Sequence, residues 1–149
     1  MNIGPTKPSR GVRPSNTPRG TKKTIKPQDD EATRDALQAE NESAEVLAKH
    51  GYDIEQSPAP PPGSRKRPDY KIEGEYFDCY APRGSNARNI WSNVKDDKVD
   101  AAQADRIVLN LNNSNVDMGR LKDQFNNWPM PGLKEVIVVK GQSAIPFFP

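Results

Sequence analysis

A mixed α/β fold, in the α+β sense of helices flanking one mixed central sheet, follows from three features of the sequence. Two strongly apolar runs, residues 106–111 and 134–140, are separated by a short helical stretch at 117–127. That pattern predicts a β-α-β crossover between parallel strands. Residues 69–73 and 75–81 flank Gly74, which predicts an antiparallel hairpin with a tight turn. A long helical stretch at 29–51 precedes both. One parallel half and one antiparallel half make the sheet mixed.

Each element has its own local signal. Asp29 or Asp30 caps the first helix, and Ala36, Leu37, Ala44, Leu47 and Ala48 give its apolar stripe. Gly51 ends it, and His50 beside that stop suits the negative end of the helix dipole. Residues 52–56 form a short strand, and the proline-rich run 57–63 must be loop. A second helix covers 86–102, with Ile90, Trp91, Val94 and Val99 inward. The third, at 117–127, carries Leu121 and Phe125. Residues 145–148 add a final edge strand before Pro149.

Composition narrows the possibilities. The chain has 149 residues, 33% of them hydrophobic, and 15 prolines. The apolar content is low for a globular chain, so part of it is expected to be disordered. No stretch approaches the ~18 apolar residues of a membrane span, and no apolar segment of the kind in a secretory signal peptide follows the start. One cysteine, Cys79, excludes an internal disulfide framework and a cysteine-rich zinc site. One histidine, His50, argues against a histidine metal cluster or catalytic triad. Cys79 lies on a strand and reads as a small buried residue.

The net charge of +2 is unevenly distributed. Residues 1–28 contain Lys7, Arg10, Arg13, Arg19, Lys22, Lys23 and Lys26, five prolines and no acid. Such a segment buries too little to offset its ordering entropy. It is expected to be a disordered basic linker or tail ahead of a folded domain at 29–149. On that reading, deleting it leaves the melting temperature nearly unchanged. A basic tail also suits nucleic-acid phosphates; otherwise it is a solubilising linker.

Two carboxylates stand out. Asp69 opens the first hairpin strand, and Asp78 lies within the second. With a turn over residues 73–75, position 70 faces 78 and Asp69 lies diagonal to Asp78, so the two acids converge. Close carboxylates repel, and a divalent cation removes the repulsion. Hard oxygen ligands with water suit Mg²⁺. The alternative is a pair of acids on a solvated face.

Pro68-Asp69 with Asp78 resembles the signature of the PD-(D/E)XK nucleases. That superfamily has a restriction-endonuclease-like core of helix, hairpin, helix and strand. A longer set of strings is more specific: Glu40-Asn41-Glu42, Gly51-Tyr52-Asp53-Ile54-Glu55-Gln56, Pro68-Asp69-Tyr70, Phe77-Asp78-Cys79-Tyr80, Asn89-Ile90-Trp91-Ser92-Asn93, the segment 103–111 and the Pro-Phe-Phe-Pro end. Together, over roughly residues 31–149, they resemble the C-terminal tRNA nuclease domain of CdiA-type contact-dependent growth inhibition toxins.

The resemblance implies metal-dependent cleavage of tRNA in the cytoplasm of a target bacterium, and neutralisation by a cognate immunity protein. It implies that Asp69 and Asp78 hold Mg²⁺, joined by Glu42 from the first helix. Glu40 is the fallback, two residues away on another part of the helix surface. The pattern breaks at Tyr80, where a lysine is expected. The lysine then comes from the following helix: Lys95 first, three residues after Ser92, with Lys98 as the second choice. Arg65, Lys66, Arg67 and Arg88, with Arg83, are the expected RNA contacts. Trp91 and Trp128 either stack on bases or, more simply, pack in the core. Two other readings share the fold: a non-catalytic nucleic-acid-binding module, kept open by Tyr80, and a DNA endonuclease.

Overall fold

The computed structural model describes residues 5–149. The elements run in chain order as β1 (Arg19–Gly20), α1 (Glu31–Lys49), β2 (Ile54–Gln56), β3 (Tyr70–Ile72), β4 (Glu75–Tyr80), α2 (Ala87–Val94), a π-helical turn (Lys95–Val99), β5 (Arg106–Asn110), α3 (Met118–Asn127), β6 (Glu135–Lys140) and β7 (Ser143–Phe148). The seven strands form one sheet in sequence order. β4, β5 and β6 are mutually parallel, and β2–β3, β3–β4 and β6–β7 are antiparallel. The sheet is therefore mixed, with a hairpin at one end of a parallel centre.

The core lies on both faces of that centre. α1 packs Ala44, Leu47 and Ala48 against Tyr70, Phe77, Val108 and Ile137. α2 and α3 pack Ile90, Val94, Leu121 and Phe125 against Ile107, Leu109, Val136 and Val138. β5 is buried along its whole length, so its middle, Ile107-Val108-Leu109, is apolar on both faces rather than alternating, and the buried polar residues at its ends are paired, Arg106 with Glu135 and Asn110 with Ser43. Each fully buried Ile or Leu contributes about 1.5–3 kcal/mol.

The caps agree with local chemistry. Asp30, not Asp29, caps α1 by accepting from the Thr33 N–H at 2.8 Å. Asn86 and Asp117 cap α2 and α3 in the same way. His50 is the C-cap of α1, and its Nε2 lies 2.7 Å from the Gln142 carbonyl oxygen.

The hairpin and the second helix depart from expectation. The hairpin turn has two residues, with Ile72 opposite Glu75, and both Glu73 (φ 49°) and Gly74 (φ 85°) in the left-handed region. This is the geometry whose twist matches the flanking strands. It pairs Tyr70 with Phe77 rather than with Asp78, and so sets Asp69 opposite Asp78 instead of diagonal to it. The second helix also departs from 86–102, because its α-helical part ends at Val94 and the π-helical turn follows.

The basic segment is the larger correction. Residues 1–4 lie outside the described residues, but 5–28 run as a strap along the domain. The Arg10 N–H donates to the Gly51 carbonyl at 2.7 Å and the Arg13 N–H to Lys49 at 3.1 Å. β1 extends the sheet beside β2. Thr6 is buried and donates through its backbone N–H (2.9 Å) and its hydroxyl to Glu135. Glu135 itself pairs with Arg106 across the β5–β6 ladder. The strap docks through backbone and polar contacts, so its few apolar residues, Val12 and Ile25, both exposed, are not what places it.

Removing residues 1–28 should therefore lower the melting temperature, by about 5 °C or more. It strips a hydrogen-bond partner from a buried charge, worth about 1–3 kcal/mol, and each kcal/mol shifts a chain of this size by about 2–4 °C. Calorimetry of the truncated and full chains checks this. An unchanged melting temperature would show that the strap is not docked.

Candidate active site

β4 exchanges neighbours midway. Glu75 to Phe77 pair with β3, and Asp78 to Tyr80 pair with β5. At this fork the β3 ladder stops, and side chains replace its hydrogen bonds. The Asp69 N–H donates to Asp78 Oδ1 at 3.2 Å, and the Cys79 N–H donates to Asp69 Oδ2 at 2.8 Å. Two carboxylates are thus locked side by side by the backbone groups that the fork leaves free. Asp78 is 3% exposed and faces the α2 side with Ile107, its partner on β5.

A third carboxylate arrives from the opposite face. Glu40 on α1 is buried, and the fully buried Tyr70 hydroxyl donates to its carbonyl at 2.6 Å. That bond ties α1 to the hairpin. The Glu40 carboxyl lies against that of Asp69. Burial first, and the Asp69 charge second, push Glu40 up to about 8. Burial and the neighbouring Asp78 likewise raise Asp69.

The lysine comes from the π-helical turn. Lys98 stands four residues after buried Val94, and its Nζ lies 3.1 Å from Asp78 Oδ2. Its carbonyl accepts from both Gln103 and Ala104 N–H groups, which fixes the turn. π-helical turns of this kind are frequent at functional sites.

The expected residues divide clearly. Asp69, Asp78 and Lys98 come together. Lys95 does not join them, since its Nζ is 2.6 Å from Asp100 Oδ2 on the surface. Glu42 also points elsewhere and accepts from Asn112 Nδ2 at 3.3 Å. Glu40 takes the place expected of Glu42, because α1 turns about 200° over two residues. Tyr80 accepts from Asn93 Nδ2 at 2.8 Å.

The basic residues lie around this centre rather than in it. Arg65, Lys66 and Arg67 are exposed on the loop before Pro68. Arg83 pairs with Glu31 and Asp35. Arg88 lies over the Trp128 ring at 4.8 Å. Trp128 is 49% exposed, contrary to a core role, whereas Trp91 is buried and donates to the Trp128 carbonyl. Cys79 is half-buried, and burial pushes its thiol up to about 12, which disfavours the thiolate a nucleophile needs.

Among the described residues no three His, Cys, Asp or Glu side chains are gathered tightly enough to enclose a metal ion. The donor set nevertheless suits a cation held partly by water and substrate. Asp69 and Asp78 are adjacent hard oxygen donors, and Glu40 Oε2 is buried without a hydrogen-bond partner. Lys23 Nζ, at 4.0 Å, is too far to donate to it.

The Glu40 carboxyl makes stability depend on pH. Its folded value lies above the unfolded one, so its contribution is present below about 4.5 and lost as pH rises through about 8. In EDTA, the wild-type melting temperature should fall between pH 5.5 and 8.5 more than that of Glu40→Gln. The difference should be about 4–8 °C, from about 2 kcal/mol. Parallel pH profiles of the two proteins would show that Glu40 is not buried beside Asp69.

Comparison with known proteins adds an independent line. A family model described as "Contact-dependent growth inhibition CdiA C-terminal domain" matches residues 66–145, a span containing Asp69, Asp78 and Lys98. The chain is 44% identical over 115 residues to tRNA nuclease CdiA-2 of Burkholderia pseudomallei (strain 1026b). That match covers 77% of this chain and 4% of the relative's length. A solved CdiA-CT/CdiI toxin and immunity complex from Burkholderia pseudomallei aligns with a TM-score of 0.83 at 39% identity. The alignment covers 89% of this chain and 99% of the other.

Proposed function

This chain belongs to the contact-dependent growth inhibition CdiA C-terminal domain family, and from that premise we propose that it is a Mg²⁺-dependent ribonuclease toxin domain. Its substrate is tRNA in the cytoplasm of a target bacterium, and a cognate immunity protein neutralises it. Support for the substrate and the partner comes from the relative named as a tRNA nuclease and from the toxin and immunity complex. Among the described residues no helix is long and apolar enough to cross a membrane.

The observation that carries the reading is the contact of Lys98 with Asp78 beside Asp69 and Glu40. It supplies the positive charge that Tyr80 cannot, and so favours a cutting enzyme over a binding module on a degenerate nuclease fold. Asp69 and Asp78 would hold the cation, with Glu40 behind them. When bound, Mg²⁺ supplies a Lewis acid and lowers the pKa of a water molecule. Lys98, fixed by Asp78, is placed to orient the attacking water and to face the charge that develops on the scissile phosphate. Water adds to phosphorus as the bond to the leaving oxygen breaks. Exposed Arg65, Lys66 and Arg67, with Arg88 beside Trp128, meet the RNA backbone and an unpaired base.

Expression of the full chain inside a bacterial host tests the choice of substrate. The expected result is growth arrest with fragmented tRNA and intact chromosomal DNA. Broken DNA with intact tRNA would replace the reading with a DNA endonuclease.

A further inference from the structure

Late in its course, at Lys23, the strap passes the acids. The Lys23 N–H donates to Asn41 Oδ1 at 2.8 Å, and Asn41 Nδ2 donates back to the Lys23 carbonyl at 2.9 Å. Gln56 Nε2 also donates to Asn41 Oδ1, at 2.6 Å. Just upstream, the Thr21 N–H donates to the Gln56 carbonyl at 3.1 Å, and Ser57 Oγ donates to the Thr21 carbonyl at 2.8 Å. Gly20 passes so close that a Cβ there would meet the Gln56 oxygen at 2.0 Å. A residue with no regular secondary structure is therefore held at a fixed point, against the neighbour of Glu40.

The fixed point places a cation. Lys23 Nζ lies 4.0 Å from Glu40 Oε2, and its side chain is 38% exposed against 9% for Glu40. The ammonium sits on the outer side of the buried carboxylate with its protons uncommitted to that oxygen. A line of groups results: Lys98, Asp78, Asp69, Glu40 and Lys23, acids in the middle and an ammonium at each end. Lys98 is already engaged by Asp78. Lys23 has the looser contact and the greater exposure, which suits a group that meets an incoming anion.

We propose that Lys23 is a substrate-positioning residue of this site, carried into it by the strap, and that its ammonium holds a phosphate of the RNA next to the acids. The inference rests on the nuclease reading above. It also gives the basic strap a function: a domain that is acidic beyond residue 28 draws from it a cation for a polyanionic substrate. An ammonium serving only to neutralise Glu40 would act on stability and leave salt dependence alone.

The test compares full-length wild type, Lys23→Gln and Lys23→Arg on tRNA at several salt concentrations. Lys23→Gln should raise KM about five- to tenfold and leave kcat within about twofold, the pattern of lost binding. The slope of log(kcat/KM) against log[salt] should become shallower by about 0.7–0.9, for one phosphate contact. Lys23→Arg should restore KM to within about twofold, with melting temperatures unchanged throughout. An unchanged KM and slope in Lys23→Gln would overturn the inference. So would a lost melting temperature that accounts for the activity change and that arginine does not rescue. Wild type that fails to cut tRNA would instead overturn the nuclease reading on which the inference stands.

Discussion

Lys98→Met should lower the rate of RNA cleavage by about 10²–10⁴-fold, the range for loss of one positioned proton-donating group. Lys95→Met should leave the rate within about twofold, because an exposed ion pair such as Lys95–Asp100 contributes little. The two lysines stand three positions apart in sequence, yet only Lys98 reaches Asp78. Measured kcat for both variants, with circular dichroism to confirm folding, separates them. Equal losses, or a loss confined to Lys95→Met, would mean that the π-helical turn does not present the lysine to the site.

Asp78→Asn should abolish cleavage, by about a thousandfold or more, while keeping the fold. The substitution preserves shape, so Oδ1 still accepts from the Asp69 N–H. It removes the charge that pairs with Lys98 and one of the two adjacent hard donors. It also relieves the repulsion between Asp78 and Asp69, so the melting temperature should change by no more than a few degrees. A variant that cuts at the wild-type rate would remove Asp78 from the chemistry.

How much of this was legible in the sequence depends on the kind of signal. The strands at Arg106–Asn110 and Glu135–Lys140 were legible because burial on both faces demands a continuous apolar middle, Ile107 to Leu109 in one and Val136 to Val139 in the other. Gly74 marked the hairpin. Its register was misplaced by one residue because the second left-handed position is Glu73, which carries no glycine signal. Glu40 was legible in principle: it precedes Ala44 by four residues and Leu47 by seven, on the stripe that packs inward. An acid on such a stripe is a stronger pointer than Glu42, which lies among exposed Glu45 and Lys49. Lys98 has the same kind of signal, four residues beyond Val94, but the π-helical turn that orders Lys95–Val99 left no local trace. The strap was illegible because its attachments are polar. Thr6 to Glu135 and Arg10 to Gly51 are contacts that a composition argument does not register.

The most direct test of the central claim is incubation of total bacterial tRNA with the purified full chain, in Mg²⁺ and in EDTA, followed by a denaturing gel. The site of Asp69, Asp78, Glu40 and Lys98 predicts discrete tRNA fragments in Mg²⁺ and intact tRNA in EDTA. Intact tRNA in both lanes, or the same fragments in both, would contradict it.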